Sequence, residues 1–131
     1  MTTLLIKPVR VLVTGSRTWD NSELMFAVLD GMLLATTAQY LTVVHGACTR
    51  GADAIADDWC ARRGVPVQRF PANWQRYGDA AGPIRNKAMV ASGVNRCVAF
   101  IRDNSPGATG CANLADASGI FTIRFLTGGM R

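Results

Sequence analysis

The sequence predicts an α/β fold: a three-layer, Rossmann-like sandwich built on a five-stranded, mainly parallel sheet. Three observations carry that expectation. Short β-branched runs, apolar on both faces, alternate with stretches whose apolar residues recur at helical spacing. Glycine-bearing turns follow several of those runs and lead into the next helix. The 131 residues are 49% apolar and 18% charged, a composition and size that suit one domain with a real core rather than a disordered or fibrous chain.

Val9 to Thr14, "VRVLVT", is the first strand. Asp20 then serves as an N-cap with Glu23 three residues on, and Leu24, Val28, Met32 and Ala35 mark one face of a helix ending near Gln39. Leu41 to His45 is the second strand. Ala52, Ile55, Ala56, Trp59 and Cys60 share a face of the second helix, which Gly64 stops with Pro66 beyond it. Val67 to Phe70 is a third strand, and "PANWQRYGDAAG" reads as a long irregular segment. Pro83 suits the first turn of a helix running to about Ser92, with Gly93 as its stop. Arg96 to Arg102 is the fourth strand, "DNSPGATG" a turn, Cys111 to Ser118 a short helix, and Ile120 to Phe125 the fifth strand. With no repeat and no dividing linker, residues 1–131 read as a single domain.

No apolar stretch reaches the ~20 residues of a membrane span, and "MTTLLIKPVR" is too short for a cleaved leader, so a cytoplasmic protein without a membrane partner is expected. Cys48, Cys60, Cys97 and Cys111 are scattered, and the one histidine, His45, has no partner at zinc-ligand spacing; reduced thiols and no metal are the expectation. The net charge of +5 suits an anionic ligand or weak nucleic-acid contact.

In a parallel sheet, ligands collect at the carboxyl ends of the strands, where the strand order reverses. The loops "GSRTW" (Gly15 to Trp19), "GACTRGAD" (Gly46 to Asp53) and "DNSPGATG" (Asp103 to Gly110) should share that rim. Each leads into a helix N-terminus, whose unpaired N–H groups and partial positive charge favour phosphate or carboxylate. Arg17, Arg50 and Arg85 could add guanidinium groups, and Asp53 could accept from ribose hydroxyls or simply serve the helix dipole. Phosphate plus ribose means a nucleotide. Ser16 and Thr49 read as phosphate contacts or caps, and Trp19 and Trp74 as base-stacking groups or covers of a core edge. Tyr77 has the same two readings. Trp59, on its apolar helical face, reads as core. His45 reads as acid, base or structural group, and Cys48 as an acidified or an inert thiol.

"VTGSRTW", "HGACTRGADAIADDWC", "FPANW" and "AGPIRNKAMV" together resemble, in order and spacing, the YspA-like branch of the SLOG superfamily. That superfamily includes lonely-guy phosphoribohydrolases, the DNA-processing protein A family and predicted sensors of nucleotide-derived signals. The resemblance implies a strand order of 3-2-1-4-5 and a nucleotide, NAD-like or ADP-ribose-like ligand on the rim. The residues it implies for ligand binding are Gly15, Ser16 and Arg17, then Gly46, Gly51, Ala52 and Asp53, and Arg85 and Asn86; the loop reading adds Ala47, Thr49 and Arg50, and Gly107, Thr109 and Gly110 could hold phosphate through their backbones. "SPGATG" is similar to the phosphate-binding P-G-G-x-G-T of the hydrolases, but Ala108 and Gly110 depart from it and no glutamate follows; the next carboxylate is Asp116.

The leading expectation is therefore a sensor or sequestering protein for a nucleotide-derived small molecule, with no certain cofactor. An enzyme cleaving an N-glycosidic or phosphate bond comes second, with Asp53, His45 or Asp103 as acid or base. A single-strand nucleic-acid binder comes third, on the strength of Arg62, Arg63, Arg69 and Arg76. A homo-oligomer stays open by analogy with related folds.

Overall fold

The computed structural model describes residues 8–128; most of the N-terminal segment read above for a leader lies outside them. Five strands, β1 (Val9–Gly15), β2 (Leu41–His45), β3 (Val67–Arg69), β4 (Arg96–Arg102) and β5 (Phe121–Thr127), form one parallel sheet in the order β3-β2-β1-β4-β5. Parallel neighbours need crossovers, and the helices α1 (Ser22–Leu34), α2 (Ala52–Arg63), α3 (Trp74–Tyr77), α4 (Ala81–Val90) and α5 (Pro106–Ala117) supply them. None of the helices is long and apolar enough to cross a membrane.

Alternation along each strand sorts the core into two layers. Val11, Val13, Val43, Val98 and Phe100 face α1 and α2, where Met25, Leu29, Ala56 and Trp59 are fully buried. Leu12, Val44 and Cys97 face the other way and pack with Met89 of α4 and with Cys111 and Ala115 of α5. Asp30 joins α1 to α2: it accepts from Trp59 Nε1 at 2.9 Å and from Arg63 Nε at 2.9 Å.

The elements follow the expected order, most ends lie within two residues of the expectation, and the larger differences are at α1, α3 and α5. Helix α1 is capped by Asn21, whose side chain accepts from Leu24 N–H at 3.0 Å, so the cap is one residue beyond Asp20. It ends at Leu34 rather than near Gln39, because the β-branched pair Thr36 and Thr37 follows and the last N–H groups fall back to tighter bonds, Thr36 to Leu33 at 3.1 Å among them. The segment expected to be irregular holds α3, capped by Asn73 accepting from Arg76 N–H, and a 3₁₀ turn at Gly78–Ala80 leading into α4. Helix α5 begins at Pro106, five residues before the expected Cys111. A proline followed by glycine reads as a turn, yet proline is equally at home at the first helical position, where no N–H is needed.

Candidate functional site

The connection from β1 runs to β2 and β3 on one side, and the chain then returns to β4 and β5 on the other, so the strand order reverses between β1 and β4. A cavity of about 690 Å³ opens at that reversal. Gly15, Ser16, Arg17 and Thr18 line it from β1, Gly46, Cys48 and Asp53 from the β2 turn, and Ser105, Gly107 and Gly110 from the start of α5. Gly82, Arg85, Asn86 and Met89 complete it from α4. Arg17, Gly46, Cys48, Trp74 and Arg85 also border a second hollow of about 570 Å³, whose outer wall is Ala47, Thr49, Arg50, Pro71 and Ala72. The three loops predicted to share a rim do share it.

Their glycines serve a purpose the sequence did not reveal. A side chain on Gly15 would run into Ala52 and the Phe100 carbonyl, and one on Gly46 would meet the Arg85 guanidinium and the Asp53 carboxylate. Gly51 holds a φ of 75° with the Ser16 carbonyl directly behind it, so backbone conformation and space both demand glycine. These residues let the loops pack on one another. Only Gly107 and Gly110, among the glycines lining the cavity, look onto open space.

Ser16 is 3% exposed and its hydroxyl is committed inside the protein. Its Oγ accepts from Arg102 N–H at 2.8 Å and lies 2.5 Å from Ser105 Oγ, while its carbonyl accepts from Ala52 N–H at 3.2 Å. Ser16 thereby fastens the β1 loop to the starts of α2 and α5. Ala52 is buried behind it, and Gly51 and Ala52 do not line the cavity.

Arg85 is half-buried, and Nη1 donates to the Gly46 carbonyl at 2.5 Å and to the Phe70 carbonyl at 3.4 Å, tying together the ends of β2 and β3. Nε donates to Asn86 Oδ1 at 2.9 Å, and Nη2 has no acceptor among the described residues. Arg17 is exposed and lies over the Trp74 ring, 5.6 Å from its centroid, beside the Cys48 thiol. Asp53 is 6% exposed and accepts from Cys48 N–H at 3.3 Å. At the start of α5, Pro106 has no N–H, and the N–H groups of Gly107 and Ala108 find no acceptor among the described residues. Thr109 N–H is bonded to the Ser105 carbonyl at 3.0 Å and Thr109 does not line the cavity, so with α5 starting at Pro106 the backbone donors are Gly107 and Ala108, not Thr109 or Gly110.

Several readings change. Trp19 is 3% exposed, packs against Phe100 and donates from Nε1 to the Asn21 carbonyl, so it belongs to the core and offers no face for stacking. Trp74, 47% exposed, lines both hollows, whereas Tyr77 borders neither. His45 is 2% exposed and outside the cavity: Nδ1 accepts from Ala47 N–H at 2.9 Å and Nε2 donates to Asp57 Oδ1 at 2.8 Å. Both ring nitrogens are occupied, and Ala47 is held at a φ of 61°. Asp103 is exposed, pairs with Arg102 Nε at 3.8 Å and lies off the cavity.

Cys48 lines the cavity, but burial, and then the neighbouring Asp53 charge, push its thiol up from the ordinary cysteine range rather than acidifying it. Burial also pushes Cys60 and Cys97 up to about 12. Arg62, Arg63 and Arg69 pair with Asp58, Asp30 and Asp57, and Arg76 lies over the Tyr77 ring.

Gly82, Pro83, Lys87, Ser105, Pro106 and Ala108 lie in segments the sequence places at the rim but does not single out, and Thr14, Thr18, Met89 and Leu114 are not singled out as lining residues either. Gly82, Asn86 and Met89 recur at four and three residues along α4, and Gly107, Gly110 and Leu114 at three and four along α5. That spacing marks one helical face, and it is visible in the sequence once α5 is started at Pro106.

The family model YAcAr, described as the YspA, cpYpsA-related SLOG family, matches residues 9–77. The Gene 61 protein of Mycobacterium phage D29 is 39% identical over 122 residues, covering 88% of this chain and 95% of that protein. No solved structure matches.

Proposed function

The chain belongs to the YspA, cpYpsA-related SLOG family, and on that premise we propose that it binds a nucleotide-derived small molecule in the cavity between β1 and β4, as a sensor or sequestering protein. One observation carries this reading. A single cavity gathers the Arg17 and Arg85 guanidinium groups, the Gly107 N–H at the start of α5 and the buried Asp53 carboxylate. The first three suit phosphate and the carboxylate suits ribose hydroxyls. The volume is in the range of small-molecule sites. ADP-ribose, NAD and nucleoside monophosphates all carry those two groups. A cytoplasmic setting, where nucleotides and reduced thiols coexist, is part of the same proposal.

Hydrolysis is a second reading, favoured by Asp53 alone, since His45 and Asp103 lie outside the cavity. Release of free base that vanished in Asp53→Ala would establish it.

A thermal-shift screen over AMP, ADP-ribose and NAD tests the binding proposal. A ligand at 100 times its dissociation constant adds about 2.7 kcal/mol, worth several degrees of melting temperature. Arg17→Ala should lose the shift while lowering the unliganded melting temperature only slightly, because Arg17 is exposed and what it touches is the Trp74 face and the Cys48 thiol. An unchanged shift in that variant would remove Arg17 from the site. Arg85→Ala is a poorer probe, since it also releases the Gly46 and Phe70 carbonyls.

A further inference from the structure

We propose that the groove between α4 and α5 takes the ligand's base, and that base selection there follows apolar area, purine over pyrimidine. The inference rests on the nucleotide reading above and assigns the two ends of the cavity to different parts of the ligand. Near the strand ends the lining carries Arg17, Arg85, Asp53 and, in the first turn of α5, Ala108; farther along the two helices it is Met89 and Leu114, with the exposed Lys87 beside them. Gly110 sits on the same face with nothing within 4 Å of where its side chain would start, so the groove is open where a residue of ordinary size would fill it.

A phosphate placed at the apolar end would lose its hydration without recovering hydrogen bonds, which is costly for a charged group. A flat heteroaromatic ring loses little there, and the polarisable thioether of Met89 is a favourable neighbour for its edge. The ring therefore goes between the helices and the phosphate stays at the strand ends. Met89 and Leu114 offer no donor or acceptor to a base edge; Asn86 stands nearer the strand ends, with Oδ1 accepting from Arg85 and Nδ2 donating to the Gly107 carbonyl. Recognition by buried area ranks ligands by ring size.

Calorimetric titration of AMP, CMP and ribose 5-phosphate into the intact chain, its Gly110→Leu variant and its Arg17→Ala variant tests this. In the parent, AMP should bind at least tenfold more tightly than ribose 5-phosphate, with CMP between them. Gly110→Leu should bring AMP to within about threefold of ribose 5-phosphate and leave ribose 5-phosphate unchanged; Arg17→Ala should weaken all three. Position 110 is an exposed helical site, so leucine there is compatible with folding, and a thermal melt checks it.

If AMP and ribose 5-phosphate bind the parent equally, the groove does not hold the base, although a phosphate site remains. That comparison does not depend on the variant. CMP binding as tightly as AMP would overturn the ranking by area. If Gly110→Leu lowers AMP and ribose 5-phosphate alike, the assignment of the two ends is wrong. If none of the three binds, the assignment of the base to the groove falls; if ADP-ribose and NAD also give no thermal shift, the nucleotide reading falls with it.

Discussion

The bond from Ala47 N–H to His45 Nδ1, 2.9 Å long, fixes His45 as the tautomer with its proton on Nε2, where Asp57 receives it. Asp57 also accepts from Arg69 Nε at 2.8 Å and Nη2 at 3.3 Å. This relay ties β2, α2 and β3 together under the turn that carries Gly46 and Cys48. The Arg69 guanidinium, helped by His45, holds the Asp57 carboxyl below its ordinary range. A carboxylate with a depressed folded pKa contributes stability that is present above its unfolded value, about 3.9, and is lost as pH falls through the lower folded value. Asp57→Asn should therefore cost more stability at about pH 5 than at about pH 3, measured by urea unfolding at both. An equal cost at the two pH values would mean that the charge contributes nothing. From sequence, His45 could be acid, base or structural group, because the residue that decides the matter lies 12 positions away on another element.

At the scale of elements, the strands were legible because their β-branched apolar runs are continuous, and the helices largely because glycine and proline mark their ends. Arg96–Arg102 and Leu41–His45 were read to the residue, and Trp59 was read as core from its helical face alone. The error at α5 came from treating proline and glycine as punctuation, when the same residues also open helices. The corrected start moves the free amides to Gly107 and Ala108, with consequences for the site. If α5 is helical from Pro106, Gly110→Ala should stabilise the chain by about 0.5–1 kcal/mol, the usual gain at an exposed helix interior. Chemical denaturation measures it. A neutral or destabilising result would indicate a turn there instead.

At the scale of the molecule, the β3-β2-β1-β4-β5 order determines where chemistry can happen. Helices α1 and α2 cover one face and α4 and α5 the other, so the loops after β1 and β4 part and leave a crevice between them. The alternation of strands and helices made the rim foreseeable, and with it Gly15, Arg17, Gly46, Asp53 and Arg85 among its walls; Asn86 and the strand order came from the family resemblance. Its apolar extension between α4 and α5 was not foreseeable, because it depends on how two helices distant in sequence lie side by side.

The most direct measurement is a crystal structure of the chain soaked in AMP. The account predicts density in the cavity with the phosphate within hydrogen-bonding reach, about 3 Å, of Arg17 and Arg85 and with the ring against Met89 and Leu114. Density elsewhere on the surface, or an empty cavity at a concentration that raises the melting temperature, would contradict it.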